Sequence, residues 1–177
     1  MEILSMKIKI EDFQICDELD DNNSSFIYGE VCHIELSEII KKLEIFDRTF
    51  LDIGSGCGKV VIYLAYKFNL LIDGIEIDKN RYEKSLHLLE KYNLFNNISF
   101  YNTDFNKVYL GNYDVIYCCN LVFSKEDNHK LFKKIIKEFS GIVILFYYNY
   151  LFKNYLIKTY NIKTSWNRNQ EIYIFKI

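Results

Sequence analysis

Residues 50–65, FLDIGSGCGKVVIYLA, decide the fold. Apolar Phe50, Leu51 and Ile53 predict a short buried strand, and Val60, Val61, Leu64 and Ala65 begin an amphipathic helix. Between them Gly54, Gly56 and Gly58 predict a loop that turns tightly and lets a ligand approach the backbone, because no Cβ is in the way. Such a loop brings the ligand to unpaired N–H groups at a helix N-terminus. Asp52, at the mouth of the strand, argues against a phosphate cradle: its charge repels a pyrophosphate and can pair with an ammonium.

Two other glycine-rich loops do not fit. A Walker A loop needs GxxxxGK[ST], whereas here the glycine spacing is shorter and Lys59 is followed by Val60. A dinucleotide fingerprint is GxGxxG, and this loop is GxGxG. A bare strand-to-helix turn is disfavoured by the next strand. Glu76 closes that apolar strand, residues 70–77, where it can accept both hydroxyls of a ribose. An Asp before GxGxG and then a strand-end acid resemble motif I and its successor in S-adenosylmethionine-dependent methyltransferases of the Rossmann-like class. That resemblance spans residues 47–144.

The bulk properties agree with one α/β domain over residues 1–177, half of it apolar. An N-terminal segment and helix (1–45) would precede a cofactor-binding core (46–148) and a C-terminal helix and hairpin (149–177). A net charge of −2 gives no global cationic field for nucleic acid or an anionic membrane. The charge is uneven, with seven acidic residues among the first 21 against Lys7 and Lys9. A solvated acidic edge explains this as well as a rim for a basic peptide does. Five cysteines, at 16, 32, 57, 118 and 119, do not look like a disulfide framework, and three scattered histidines give no zinc site, so no metal is expected. No stretch reaches membrane-spanning length and the N-terminus lacks a signal-peptide apolar region. An intracellular, reducing location is expected, in cytoplasm or nucleus.

Along the chain, alternation over residues 3–10 predicts a strand, acidic residues 17–25 a loop, FIYGE at 26–30 a glycine turn, and residues 32–43 a helix. After the glycine loop, residues 70–77, 98–102, 113–120 and 141–148 predict strands, with helices over 79–92 and 125–139. In the 79–92 helix Lys79, Arg81, Glu83 and Lys84 are expected to face water. Strands alternating with helices imply a mostly parallel sheet with helices on both faces. Residues 150–160 read as an aromatic helix or lid, and 164–166 with 172–177 as a hairpin around 167–170. That hairpin would add an antiparallel strand at the sheet edge of a seven-stranded sheet.

Ligands bind beyond the carboxyl ends of parallel strands, and Asp52, Glu76, Asp104 and Asn120 lie at four successive ends. A cationic cofactor carrying ribose and adenine matches them: Asp52 near the methionine moiety, Glu76 on the ribose, Asp104 on the adenine amino group. Phe105 would either pack on the purine face or plug the core under the loop.

FIYGE, FLDIGSGCGKVV, IEID, TDF, CCNLVF and SWNRNQEIY, in this order, resemble the disruptor-of-telomeric-silencing (DOT) family of histone lysine methyltransferases, over residues 26–177. The resemblance implies S-adenosyl-L-methionine as cofactor, with S-adenosyl-L-homocysteine as product, and a protein lysine as acceptor, histones or nucleosomes among the candidates. It assigns Glu30, Asp52, Gly54, Ser55, Gly56, Gly58, Lys59, Glu76, Ile77, Asp104, Phe105 and Asn120 to cofactor binding. Tyr28, Asn120, Phe123, Trp166 and Tyr173 would line or orient the acceptor channel. There are departures: Val31 stands for the family's usual Thr, Lys59 for Gln, and Cys119 and Leu121 for Asn and Phe, and the basic DNA-holding extension is missing. Lys59 would either contact the cofactor carboxylate or point to solvent. Two rival functions stay open. Amino-base methyltransferases carry [DNS]PP[YFW] after the fourth strand, where this proline-free chain has NLVF, so nucleic-acid or small-molecule methylation is the weaker reading. A partner-binding protein that keeps the fold without turnover is the other.

Overall fold

The computed structural model describes residues 31–93 and 96–177. The strand expected over 3–10, the acidic 17–25 loop and FIYGE, with Tyr28 and Glu30, lie outside the described residues. Helix α1 (His33–Lys42) leads into strand β1 (Thr49–Ile53). Then follow α2 (Lys59–Phe68), β2 (Leu71–Glu76), α3 (Lys79–Tyr92), β3 (Ile98–Asn102), β4 (Val115–Cys118), α4 (Lys125–Glu138) and β5 (Ile142–Leu145). The chain ends in β6 (Leu156–Ile162) and β7 (Gln170–Lys176). Short 3₁₀ turns occupy Phe105–Lys107, Leu110–Asn112, Asn120–Val122 and Tyr150–Tyr155.

The seven strands form one sheet in the order β3-β2-β1-β4-β5-β7-β6. Strands β1 to β5 run parallel, with Leu51 opposite Asp73 and Ile53 opposite Ile75. Strand β7 is antiparallel to both β5 and β6. This is the expected Rossmann-like methyltransferase architecture. Strand order reverses about β1, so β1 and β4 diverge at their carboxyl ends and leave a crevice there.

Packing explains the strand composition. Every residue of β4 and four of five in β1 are buried, as strands covered on both faces must be. On one face α1, α2 and α3 bring Leu36, Ile40, Val61, Leu64 and Leu88 against Phe50, Ile72 and Ile174. On the other, α4 and the Tyr150–Tyr155 turn bring Leu131, Phe132, Ile135 and Phe152 against Leu51, Ile53 and Val143. Helix starts are fixed locally. The Asp78 carboxylate accepts from Arg81 N–H at 2.8 Å to cap α3, and the Ser124 hydroxyl accepts from Asp127 N–H at 3.0 Å to cap α4. Among the described residues no helix is long and apolar enough to cross a membrane.

The C-terminal part corrects the expected layout. Residues 156–162 are the strand that pairs with β7, while 164–166 belong to the connecting loop. Thr164 N–H donates to the Asn167 carbonyl, and Asn167 N–H donates back to Thr164 Oγ1, both at 2.9 Å. That reciprocal pair closes a turn no strand can contain. Strand β7 is inserted inside the sheet, and β6 takes the edge. Strands β4 and β5 are shorter than expected, because the chain bends into other structure just after Cys118 and Leu145. Cys32, Cys118 and Cys119 are free thiols.

The glycine loop generates a stability prediction. Gly54 and Gly58 hold φ of 77° and 81°, a region costing L side chains about 1–2 kcal/mol. A Cβ on Gly54 would meet nothing closer than the Phe123 ring at 3.8 Å. One on Gly58 would come within 2.4 Å of the Phe100 ring, which is itself wedged against Gly74 and has no room to retreat. Urea unfolding is therefore expected to show a larger loss in Gly58→Ala than in Gly54→Ala, by about 1–3 kcal/mol of overpacking. Equal losses would contradict this packing.

Candidate active site

A cavity of about 510 Å³ opens at the carboxyl ends of β1, β2 and β4, within the range usual for small-molecule sites. Its floor is the glycine loop. Gly54 N–H and Ser55 N–H both donate to the Ile75 carbonyl, at 2.9 and 3.0 Å. Gly56 N–H donates to Glu76 Oε2 at 2.8 Å, while Asp78 N–H donates to Glu76 Oε1 at 2.9 Å. Glu76 thus ties the loop to the end of β2 and to the start of α3. Each oxygen keeps a second lone pair for a ligand hydroxyl. Ser55 Oγ is buried under the loop against Gly74, with no hydrogen-bond partner among the described residues.

Charge is concentrated at the floor. Asp52 is buried in the cavity wall, and burial above all, then the neighbouring Glu76 charge, push its carboxyl well above the usual carboxylate range. Lys59, the first residue of α2, is only 8% exposed and lines the cavity, so its side chain runs along the wall and not into solvent. Arg81, expected to face water, is 7% exposed and also lines the cavity. It sits in the first turn of α3, where the helix still abuts the strand ends. Helical spacing alone does not reveal that.

The far end of the cavity is aromatic. Asp104 Oδ1 accepts from the backbone and side-chain amides of Asn106, at 2.8 and 2.9 Å, which holds the Phe105–Lys107 turn against β3. The Phe105 and Phe123 rings stack at 5.9 Å and 21°. Both line the cavity, as do Asp104 and Ile77. Tyr117 and Cys119, two apart on the chain at β4, contribute to the wall although neither was singled out as a contact. Period-two alternation toward one face was the available signal. Trp166 reaches the wall from the β6–β7 loop, with its Nε1–H donating to Gln170 Oε1 at 3.2 Å.

Three of the expected site residues stand outside this wall. Gly58 starts α2 behind it. Tyr173 packs on Tyr148 at 5.2 Å between ring centres and donates its hydroxyl to Glu171 at 2.9 Å. Asn120 is fully buried: its Oδ1 accepts from Phe146 N–H and Tyr147 N–H at 3.1 and 3.0 Å, and its Nδ2 donates to Asn128 Oδ1 at 2.6 Å. Asn128 in turn donates to the carbonyls of Asn120, Phe123 and Ser124. The pair fastens the chain after β4 to the end of β5, and so sets where Leu121, Val122 and Phe123 meet the cavity.

The donor set suits a particular ligand. Asp52, Glu76 and Asp104 offer carboxyl oxygens as acceptors, which fit hydroxyls, an amino group and an ammonium. At Gly54 a Cβ would project toward Phe123 across the cavity floor, so the bare backbone leaves room for a ligand to lie on it. S-adenosylmethionine has this combination of groups, and these residues fit it.

The raised pKa of Asp52 has a stability consequence. In the unfolded chain Asp ionises in its ordinary range, whereas the folded protein retains the proton to higher pH. Over that interval the unfolded state binds fewer protons, so stability falls as pH rises. Asp52→Asn removes this dependence. Urea titrations are expected to show the variant gaining on the wild type as pH rises from the carboxylate range to neutrality. A difference that stays constant with pH would contradict it.

A family model for the histone methylation protein DOT1 matches residues 18–174. An RNA methyltransferase from Salinibacter ruber, solved with S-adenosyl-L-homocysteine, shares the fold with TM-score 0.68 and 16% identity, over 81% of this chain and 90% of that one. A protein from Methanococcus maripaludis, provisionally named an S-adenosyl-L-methionine-dependent methyltransferase, aligns with TM-score 0.57 and 26% identity, over 64% of this chain and 53% of that one. A tRNA (m1A58) methyltransferase from Aquifex aeolicus aligns with TM-score 0.58 and 17% identity, over 80% and 67%. No curated protein is similar to the chain in sequence. With the family match spanning nearly the whole chain and a cavity that fits the cofactor, the chain belongs to the histone methylation protein DOT1 family and is an S-adenosylmethionine-dependent methyltransferase.

Proposed function

We propose that this methyltransferase acts on the side-chain amine of a protein lysine, with histones among the acceptors to be tried first. The observation that carries the reading is the composition of the cavity lining, to which Val31, Tyr117, Cys119 and Trp166 contribute apolar and aromatic surface. A lysine stem can bury its CH₂ groups there at about 0.8 kcal/mol each. Desolvation also lowers the amine pKa toward the neutral form that methylation needs.

In this reading Glu76 takes the ribose hydroxyls, Asp104 with Phe105 and Phe123 the adenine, and Asp52 with Lys59 the charged methionine end. Bound S-adenosylmethionine supplies an electrophilic methyl on a sulfonium. The protein's part is alignment and exclusion of water. The amine lone pair forms the new N–C bond as the C–S bond breaks, and the displaced proton leaves to solvent. Asn120 supports this indirectly, as a positioning residue for the Leu121–Phe123 wall, because both of its amide atoms are already engaged. The same engagement disfavours a base amine as acceptor, since the Asn120 side-chain oxygen is not available to receive it. With a net charge of −2, recognition of the partner rests on the site and not on broad attraction to DNA.

Incubation with labelled S-adenosylmethionine and histones, nucleosomes, a protein extract or RNA, followed by mass spectrometry, tests the acceptor. Methyl groups on lysine are expected; methyl groups found only on RNA or a metabolite would sink the proposal. Calorimetry tests the cofactor half. Glu76→Ala loses both the loop tie and the hydroxyl acceptor, charge-assisted bonds worth roughly 1.5–3 kcal/mol each, so S-adenosylhomocysteine affinity should fall by about tenfold or more. Unchanged affinity in a folded variant would remove Glu76 from the site.

A further inference from the structure

The loop that carries Trp166 is tied to the start of α1 and the residues before it through Lys163 and Thr164. Lys163 N–H donates to Glu35 Oε2 at 2.7 Å, and the ammonium of the same lysine lies 3.3 Å from Glu35 Oε1. The Lys163 carbonyl accepts from Cys32 N–H at 2.9 Å, and Val31 forms an antiparallel bridge with the next residue, Thr164. Within the loop Thr164 bonds with Asn167 and Trp166 with Gln170. Trp166 is 43% exposed, so the core does not hold its ring in place. Ser165, Trp166 and Val31 nonetheless share the cavity wall.

We infer that Glu35 is a positioning residue for the acceptor side of the site: its carboxylate, by holding the Lys163 backbone, sets Trp166 at the cavity mouth. The backbone bond is the part that acts. The Lys163 side chain is 68% exposed, so its ion pair is screened and weak. A carboxylate accepting a backbone N–H is charge-assisted and directional. Two substitutions separate these contributions. Glu35→Gln keeps an oxygen acceptor for the N–H and drops the ion pair, and Lys163→Ala keeps the N–H and drops the ammonium.

The chain has a single tryptophan, so intrinsic fluorescence reads Trp166 alone. Glu35→Ala is expected to raise acrylamide quenching of Trp166 and to raise KM for the methyl acceptor by about tenfold, as loss of one charge-assisted bond implies. kcat and S-adenosylhomocysteine affinity should stay near wild type in Glu35→Ala. Lys163→Ala should resemble the wild type in every readout, and Glu35→Gln, which keeps only a neutral acceptor, should fall between the wild type and Glu35→Ala in quenching and KM. The KM measurement rests on the proposed acceptor reading; quenching and cofactor binding do not, so the two can fail separately. Unchanged quenching in Glu35→Ala, the same rise in Lys163→Ala, raised quenching with unchanged KM for whatever acceptor is identified, or a parallel fall in cofactor affinity would each overturn the inference.

Discussion

One carboxylate organises the site. Glu76 ends β2 buried, and burying it is offset by two backbone N–H donors, Gly56 from the loop and Asp78 from the start of α3. Those two bonds draw together segments that otherwise share only the Ile75 carbonyl contacts beneath them. The clamp ties the glycine loop to the end of β2 and to the N-cap of α3. Asp52 nearby is buried and faces the Glu76 charge, and its raised pKa is the result of that burial first and that charge second.

The cavity therefore has two halves with different supports. Around the glycine loop every wall residue is fixed by backbone bonds, by the left-handed glycines or, after β4, by the buried Asn120–Asn128 pair. Around Trp166 the wall is a loop tied through Lys163 to Glu35 and Cys32. One fold serves many acceptors when the walls around its common core differ. The structural likeness to RNA methyltransferases from Salinibacter ruber and Aquifex aeolicus is a likeness of fold, and it carries no information about the acceptor.

What the sequence made legible was whatever local chemistry dictates. Gly54, Gly56 and Gly58 all take positive φ, and Glu76 and Asp104 stand at strand ends as their position required. Orientation decided by distant residues was not legible. Asn120 follows β4 as expected, yet its side chain turns inward because the Phe146 and Tyr147 amides and Asn128 wait there. Arg81 looks like a solvent-facing cation, and Lys59 could point either to solvent or into the site, until the fold buries both against the cavity. Strand β6 was hidden because an edge strand keeps Lys158, Thr159 and Asn161 exposed, which blurs the alternation a buried strand would show. The terminal segment with Tyr28 and Glu30 lies outside the described residues.

The central claim is that this loop and its acids form a site for a cationic nucleoside without phosphates. Calorimetric titration of the protein with S-adenosylmethionine, and separately with NAD, addresses it directly. The account predicts saturable one-to-one binding of S-adenosylmethionine and no saturable heat with NAD, whose pyrophosphate meets Asp52 and Glu76. Saturable NAD binding with no response to S-adenosylmethionine would contradict it.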